Sequence, residues 1–199
     1  MKRTPILSTL LVFAAACGGG EPAQNSSAPA AEAPAQAAPE AAAPAASTEM
    51  TMPDWFTVDN DAKTVTMTIT AGLTDAKNHW NFNGGHDGNM TITVPEGYGV
   101  TIHFKNADPV MAHSLGITTT TSGFAAMMDP TPAFPGAITQ NPESMTDATM
   151  PGEEETVSFT ASKAGNYAMA CYIPGHAATG MYVLFNVSSD GTAGVTGAM

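Results

Sequence analysis

Residues 171–181 read CYIPGHAATGM, so Cys171, His176 and Met181 stand at a C-x4-H-x4-M spacing within one short loop. A thiolate, an imidazole and a thioether placed so close together form a soft donor set. His113, in the run MAHSLGI, offers a second imidazole upstream. Two His, one Cys and a weak, distant Met are the ligand set of a blue-copper electron-transfer site. The chain has two cysteines, and the other, Cys17, lies in an N-terminal leader. Cys171 is therefore left without an intrachain disulfide partner in the folded domain. A lone thiol in an oxidising compartment is a liability unless something binds it, and a metal is the economical explanation.

Plainer uses exist for each donor. Met181 could fill a core gap, the commonest fate of a strand Met, and His113 could lie on the surface ahead of a strand. Their spacing and pairing with Cys171 and His176 favour the metal site. A Cys171–His176 nucleophilic pair is the remaining catalytic option, but Met181 and the lack of an orienting acid argue against it. A single copper with four protein donors leaves no open coordination position, so an electron carrier, not an enzyme, is expected.

The elements that must position these donors are strands. Val65, Met67 and Ile69 alternate with Thr in TVTMTIT, as do Met90, Ile92 and Val94 in NMTITVP, and Val100, Ile102 and Phe104 share one face of GVTIHFKN. This period of two marks half-buried strands. ETVSFTA and NYAMACY read as two more, joined at Ser162–Gly165, and GMYVLFNV closes the domain. The pattern predicts an all-β sandwich of about seven to eight antiparallel strands over residues 50–190, with 191–199 as a flexible tail. Residues 118–156 form a Pro/Met/Thr-rich excursion with few strand signals, which in a compact domain reads as a functional lid or a disordered loop. Its Met127, Met128, Met145 and Met150 read as packing residues before a copper-loading patch. His103 should face solvent, His79 and His86 should be exposed in a turn, and Trp80 with Phe82 should belong to the core.

The N-terminus is a targeting segment. Lys2 and Arg3 precede an apolar stretch from Ile6 to Ala16 that is too short to span a membrane. Ala14, Ala15 and Ala16 then lead into Cys17, as small residues lead into the acylated Cys of a bacterial lipoprotein, although Ala14 departs from the usual Leu. The reading is a signal peptide over 1–16 and a lipid-anchored linker over 17–49. Pro29, Pro34, Pro39 and Pro44 recur through that Ala-rich linker and block continuous helix. Roughly 30 residues at ~3 Å each would carry a domain up to ~90 Å from its anchor. Without Lys2 and Arg3, four lysines face eighteen acids, a formal charge of −14. No basic surface for nucleic acid survives that balance. An acidic surface can steer a soluble carrier towards basic partners or simply keep it dispersed. A monomer is expected.

The stretch WNFNGGHDGNMTITVPEGYGVTIHFKN, followed by AHSLGI and AGNYAMACYIPGHAATGM, resembles the sulfocyanins, and YIPGHAATGM also resembles the ligand loop of the rusticyanins. The resemblance covers about residues 78–188. It implies a cupredoxin-type Greek-key sandwich holding one type 1 copper that cycles between Cu(I) and Cu(II). Carried over position by position, His113 is the upstream ligand, Cys171 the equatorial thiolate, His176 the second imidazole and Met181 the axial thioether. The backbone N–H of Ser114 is placed to donate to the Cys171 sulfur. Such a carrier would work outside the cytoplasm, exchanging electrons with redox proteins such as c-type cytochromes or a terminal oxidase. Storage or delivery of copper in the envelope is the alternative. With only Gly175, Ala177 and Ala178 flanking it, the His176 ring should reach the surface inside an apolar rim that includes Pro174, while His113 sits deeper.

Overall fold

The computed structural model of the chain describes residues 49–197, so the leader, Cys17 and almost all of the linker lie outside the described residues. Alternation of apolar and polar side chains builds nine strands among those residues: β1 (Phe56–Asp59), β2 (Thr64–Ala71), β3 (Met90–Pro95), β4 (Gly99–Asn106), β5 (Gly116–Thr118), β6 (Glu154–Thr160), β7 (Gly165–Ala170), β8 (Tyr182–Ser188) and β9 (Gly194–Gly197). Helical structure there is limited to one 3₁₀ turn at Ala177–Thr179. The strands form two sheets, β1-β2-β4-β6 and β5-β7-β8-β3-β9.

Val65, Met67 and Ile69 of β2 point inward and are essentially fully buried, as are Val100, Ile102 and Phe104 of β4. They meet Ile92, Val94, Val183 and Phe185 of the other sheet in one apolar cluster. Phe159 of β6 contacts Phe185 of β8 across the layers, ring centroids 6.1 Å apart. Burying each such side chain contributes about 1.5–3 kcal/mol relative to exposure. His103 alternates outward and is exposed, while Thr101 on the same side is half-buried.

Two details differ from the sequence reading. The sheets are mixed, because β2 runs parallel to β4 and β3 runs parallel to β8. Period-two alternation reports which face is buried and carries no information about strand direction. The segment expected to be a tail contributes β9, whose Val195 is fully buried and pairs with Ile92. A four-residue strand with glycine at both ends has too little pattern to be seen in sequence.

The excursion after β5 is ordered and frames the domain. Phe134 stacks on Phe159 at 5.5 Å and meets Tyr167 at 4.8 Å. Phe124 contacts Tyr182 and packs with Ala168, Ala170 and Ala177, so the outer face of β7 is covered as well as its inner face. Strand β7 is thereby held from both sides just before the chain reaches Cys171.

Candidate metal centre

Tyr167 and Met169 set the inward side of β7, and Cys171 continues that alternation one step beyond the strand end. Its N–H donates to the Met181 carbonyl at 3.1 Å, and the Met181 N–H donates to the His176 carbonyl at 2.9 Å. Thr179 closes the loop by donating from its N–H and its hydroxyl to the carbonyls of Gly175 and His176. The Gly175 N–H donates at 2.7 Å to the carbonyl of Ala126, so the excursion grips this loop directly. The backbone thus folds the C-x4-H-x4-M segment into a closed unit around Cys171.

His113 is brought in from the end of β4. Its N–H donates to the Thr149 carbonyl at 3.0 Å. The buried Asn106 amide donates to the carbonyls of Met111 and Thr149, both at 2.8 Å, and its oxygen accepts from the Asp108 N–H. Asp108 Oδ1 accepts from the N–H groups of Val110 and Met111, and Oδ2 lies 2.9 Å from His113 Nε2. Burial raises the proton affinity of Asp108, but the bonds from His113, Met111 and Val110 outweigh it and hold the carboxyl below its ordinary range. A carboxylate can only accept, so Nε2 carries the proton and Nδ1 keeps its lone pair. Asp108 therefore fixes the tautomer that leaves Nδ1 free for a metal.

Nδ1 is the atom that faces Cys171. Sγ lies 3.9 Å from His113 Nδ1 and 3.5 Å from His176 Nδ1, and the three donor atoms all fall within 4.8 Å of one another. Bonds of about 2.0 Å to imidazole and about 2.3 Å to thiolate, spread trigonally round one ion, would separate sulfur and nitrogen by roughly 3.8 Å. The observed spacings fit. Ser114 lies against the sulfur, its N–H donating to Sγ at 3.4 Å while its hydroxyl accepts from the Tyr172 N–H. Met181 is fully buried and tied by its backbone to both Cys171 and His176.

The cluster is dry. His113, Cys171 and Met181 are each 0% exposed and His176 is 1% exposed. Burial pushes the Cys171 thiol up to about 11 despite the N–H groups of Ser114 and Ile173 that favour its thiolate. Burial, then the neighbouring His113, brings His176 down to about 4. His113 is lowered as well, again chiefly by burial. Without a positive ion the pocket therefore prefers one thiol and two neutral imidazoles. A cation reverses that preference for sulfur, because a coordinating thiol gives up its proton.

The expectation that His176 reaches the surface is overturned. Its ring is covered by Trp80, stacked at 4.0 Å between centroids with 21° between the planes. The expectation weighed only the small residues beside His176 in sequence, whereas the cover comes from the turn after β2. Pro174 and Ala178 of the rim are exposed, Gly175 is half-buried and Ala177 is buried. His79 and His86 are half-buried and not exposed, with His86 Nδ1 2.9 Å from Asp87. Sequence reasoning missed two further residues of this centre. Asp108 looked like an ordinary loop acid, although its five-residue lead on His113 was the available signal, and Trp80 looked like core.

A sequence model described as the Sulfocyanin (SoxE) domain matches residues 53–196. The chain is 29% identical over 143 residues to the sulfocyanin of Sulfolobus acidocaldarius, covering 66% of this chain and 67% of that protein. It is 34% identical over 95 residues to the rusticyanin of Acidithiobacillus ferrooxidans, covering 47% of this chain and 57% of the relative, so it spans a little over half of that protein's length. A solved rusticyanin from Thiobacillus ferrooxidans aligns with a TM-score of 0.44 at 27% identity, over 68% of this chain and 87% of that one. With the family match running across nearly all of the described residues, the chain belongs to the sulfocyanin family of blue copper proteins.

Proposed function

We propose that this domain is a one-electron carrier outside the cytoplasm, holding one type 1 copper through His113, Cys171, His176 and Met181. The observation that carries the reading is the convergence of three buried donor atoms within 4.8 Å, one of them a sulfur. When bound, copper supplies a Cu(I)/Cu(II) couple, and trigonal His₂Cys sites with a weak axial Met are electron-transfer sites. The protein's own part is to keep the donors fixed and dry. Asp108 holds the His113 tautomer, Ser114 donates to the sulfur, and the 3₁₀ turn locks the ligand loop. Electron exchange with little nuclear rearrangement needs such rigidity. No substrate pocket or catalytic step is required, so the reading is a carrier and not an enzyme.

Met181 completes the set, and a harder donor there tests both its role and the redox reading. Met181→Gln should keep copper bound yet lower the reduction potential, because an amide oxygen favours Cu(II) over Cu(I) relative to a thioether. A redox titration giving the wild-type potential would remove Met181 from the site.

The partners fitting this reading are redox proteins such as c-type cytochromes or a terminal oxidase, met through electrostatic steering by the acidic surface, with the domain monomeric. Among the described residues no helix is long and apolar enough to cross a membrane. Attachment is assigned instead to acylation of Cys17, motivated by the three alanines before it and the Pro/Ala linker after it. Intact-mass measurement of the mature protein should show diacylglycerol-scale extra mass on Cys17. A free Cys17 thiol at the mature N-terminus, or retention of the leader, would reject the anchor and leave the copper site untouched.

A further inference from the structure

With all four donors at or below 1% exposure, no redox partner can touch a ligand edge. Whatever covers the ligands is what a partner meets. One face of His176 is covered by an indole in parallel contact, and Trp80 is itself only half-buried. Its Nε1 is buried without a hydrogen-bond partner, so the part of Trp80 that reaches solvent is not the N–H. A stacked π system spans from ligand to surface here, whereas Pro174 and Ala178 nearby offer only saturated side chains.

The chain accepts unfavourable local structure to put the indole there. Lys77, Asn78 and His79 are three consecutive non-glycine residues with positive φ, at 53°, 57° and 67°. Left-handed backbone is unfavourable for residues other than glycine, least so for Asn. The orphaned Nε1 adds to that cost, because a buried donor without a partner is not repaid for the water it loses. The turn is also fastened to the ligand loop. The Asp87 N–H donates to the Gly180 carbonyl at 2.7 Å, Lys77 Nζ lies 2.9 Å from Asp87 Oδ2, and Asn81 Nδ2 donates to the carbonyls of Thr74 and Ala76. Strain of this kind gathers where function requires a geometry. Half-burial of one indole does not by itself call for it.

Resting on the carrier reading above, we propose that Trp80 is the electron port: the electron crosses between the His176 ring and a docked one-electron acceptor through the Trp80 indole. In self-exchange, one electron passes from the Cu(I) form of one molecule to the Cu(II) form of another. The donor becomes Cu(II) and the acceptor Cu(I), no bond to Trp80 forms or breaks, and no proton moves. The contact surface is the half-buried indole with the exposed Lys77 and Asn78 beside it.

The test pairs Trp80→Leu with Trp80→Phe in the full copper-loaded chain, measuring self-exchange by NMR line broadening. Leu should slow exchange several-fold while the thiolate absorption persists, and Phe, which keeps an aromatic face, should restore most of the rate. Should Leu fail to fold, Met fills the space with a flexible, non-aromatic chain and serves the same comparison. An independent measurement uses Trp55→Phe, in which Trp80 is the only indole: adding Cu(II) to the metal-free protein should quench its emission at one equivalent. Wild-type exchange in Trp80→Leu or Trp80→Met, or unquenched emission from a loaded site, overturns the port. Absence of a thiolate band in the unmodified protein overturns instead the carrier reading beneath it.

Discussion

Replacing Cys171 by Ser should abolish the intense visible absorption of the copper-loaded protein and reduce its copper affinity by orders of magnitude. The thiolate supplies both the charge-transfer band and the soft donor that holds Cu(I). Ser at this position leaves a hydroxyl facing two imidazoles in a dry pocket, with the Ser114 N–H still pointing at it. The fold should survive, since the alternation of Tyr167, Met169 and residue 171 is kept and the volume change is small. Visible spectroscopy with copper quantified per chain checks this. A Cys171→Ser protein that remained intensely coloured would sink the whole assignment.

Asp108→Asn should act through a proton instead of a ligand. The carboxylate accepts three hydrogen bonds, from the N–H groups of Val110 and Met111 and from His113 Nε2. An Asn carboxamide can present its oxygen to the backbone or to His113, but not to both. If the oxygen stays on the backbone, the NH₂ faces Nε2, and His113 must move its proton to Nδ1, the atom turned towards Cys171. If the amide flips, two backbone donors lose their partner. Copper affinity should fall by about 10–100-fold, the usual cost of disturbing a partner behind a metal-ligating His. Asp108→Ala should be worse, leaving the buried His113 Nε2–H unpaired at about 1–3 kcal/mol and freeing the part-buried N–H groups of Val110 and Met111. Chelator competition reports the affinity and thermal melting the fold; wild-type affinity in Asp108→Asn would mean the tautomer is set by something else.

What was legible in the sequence was whatever local pattern determines. Val65, Met67 and Ile69 announce a strand and its buried face because side chains alternate with period two, and Cys171, His176 and Met181 announce a loop of donors because each stands only five positions from the next. What was illegible was made by distant chain meeting distant chain. The parallel pairing of β2 with β4 sets whole strands side by side without any turn to betray it. Val195 becomes core only because Ile92 needs a neighbour. Asp108 acquires its role from the way Asn106 folds the loop back on Met111 and Thr149. Trp80 passed for a core aromatic because nothing near it in sequence names His176. The error about the His176 edge came from reading exposure off sequence neighbours.

The two parallel pairs also govern how the domain is born. Strand β3 must wait for β8, so that Thr91 lies beside Leu184, and β9 then lands on the far side of β3. Neither partnership can be nucleated by a hairpin, and topologies dominated by such remote pairings close slowly, over milliseconds to seconds. Cys171 and His176 are neighbours from the moment of synthesis, whereas His113 joins them across a separation of 58 residues only when the two layers have met. A freshly made chain therefore passes through a period in which its one domain thiol is uncovered and its third donor absent, and the quality of the finished site depends on the order in which folding and metal arrive.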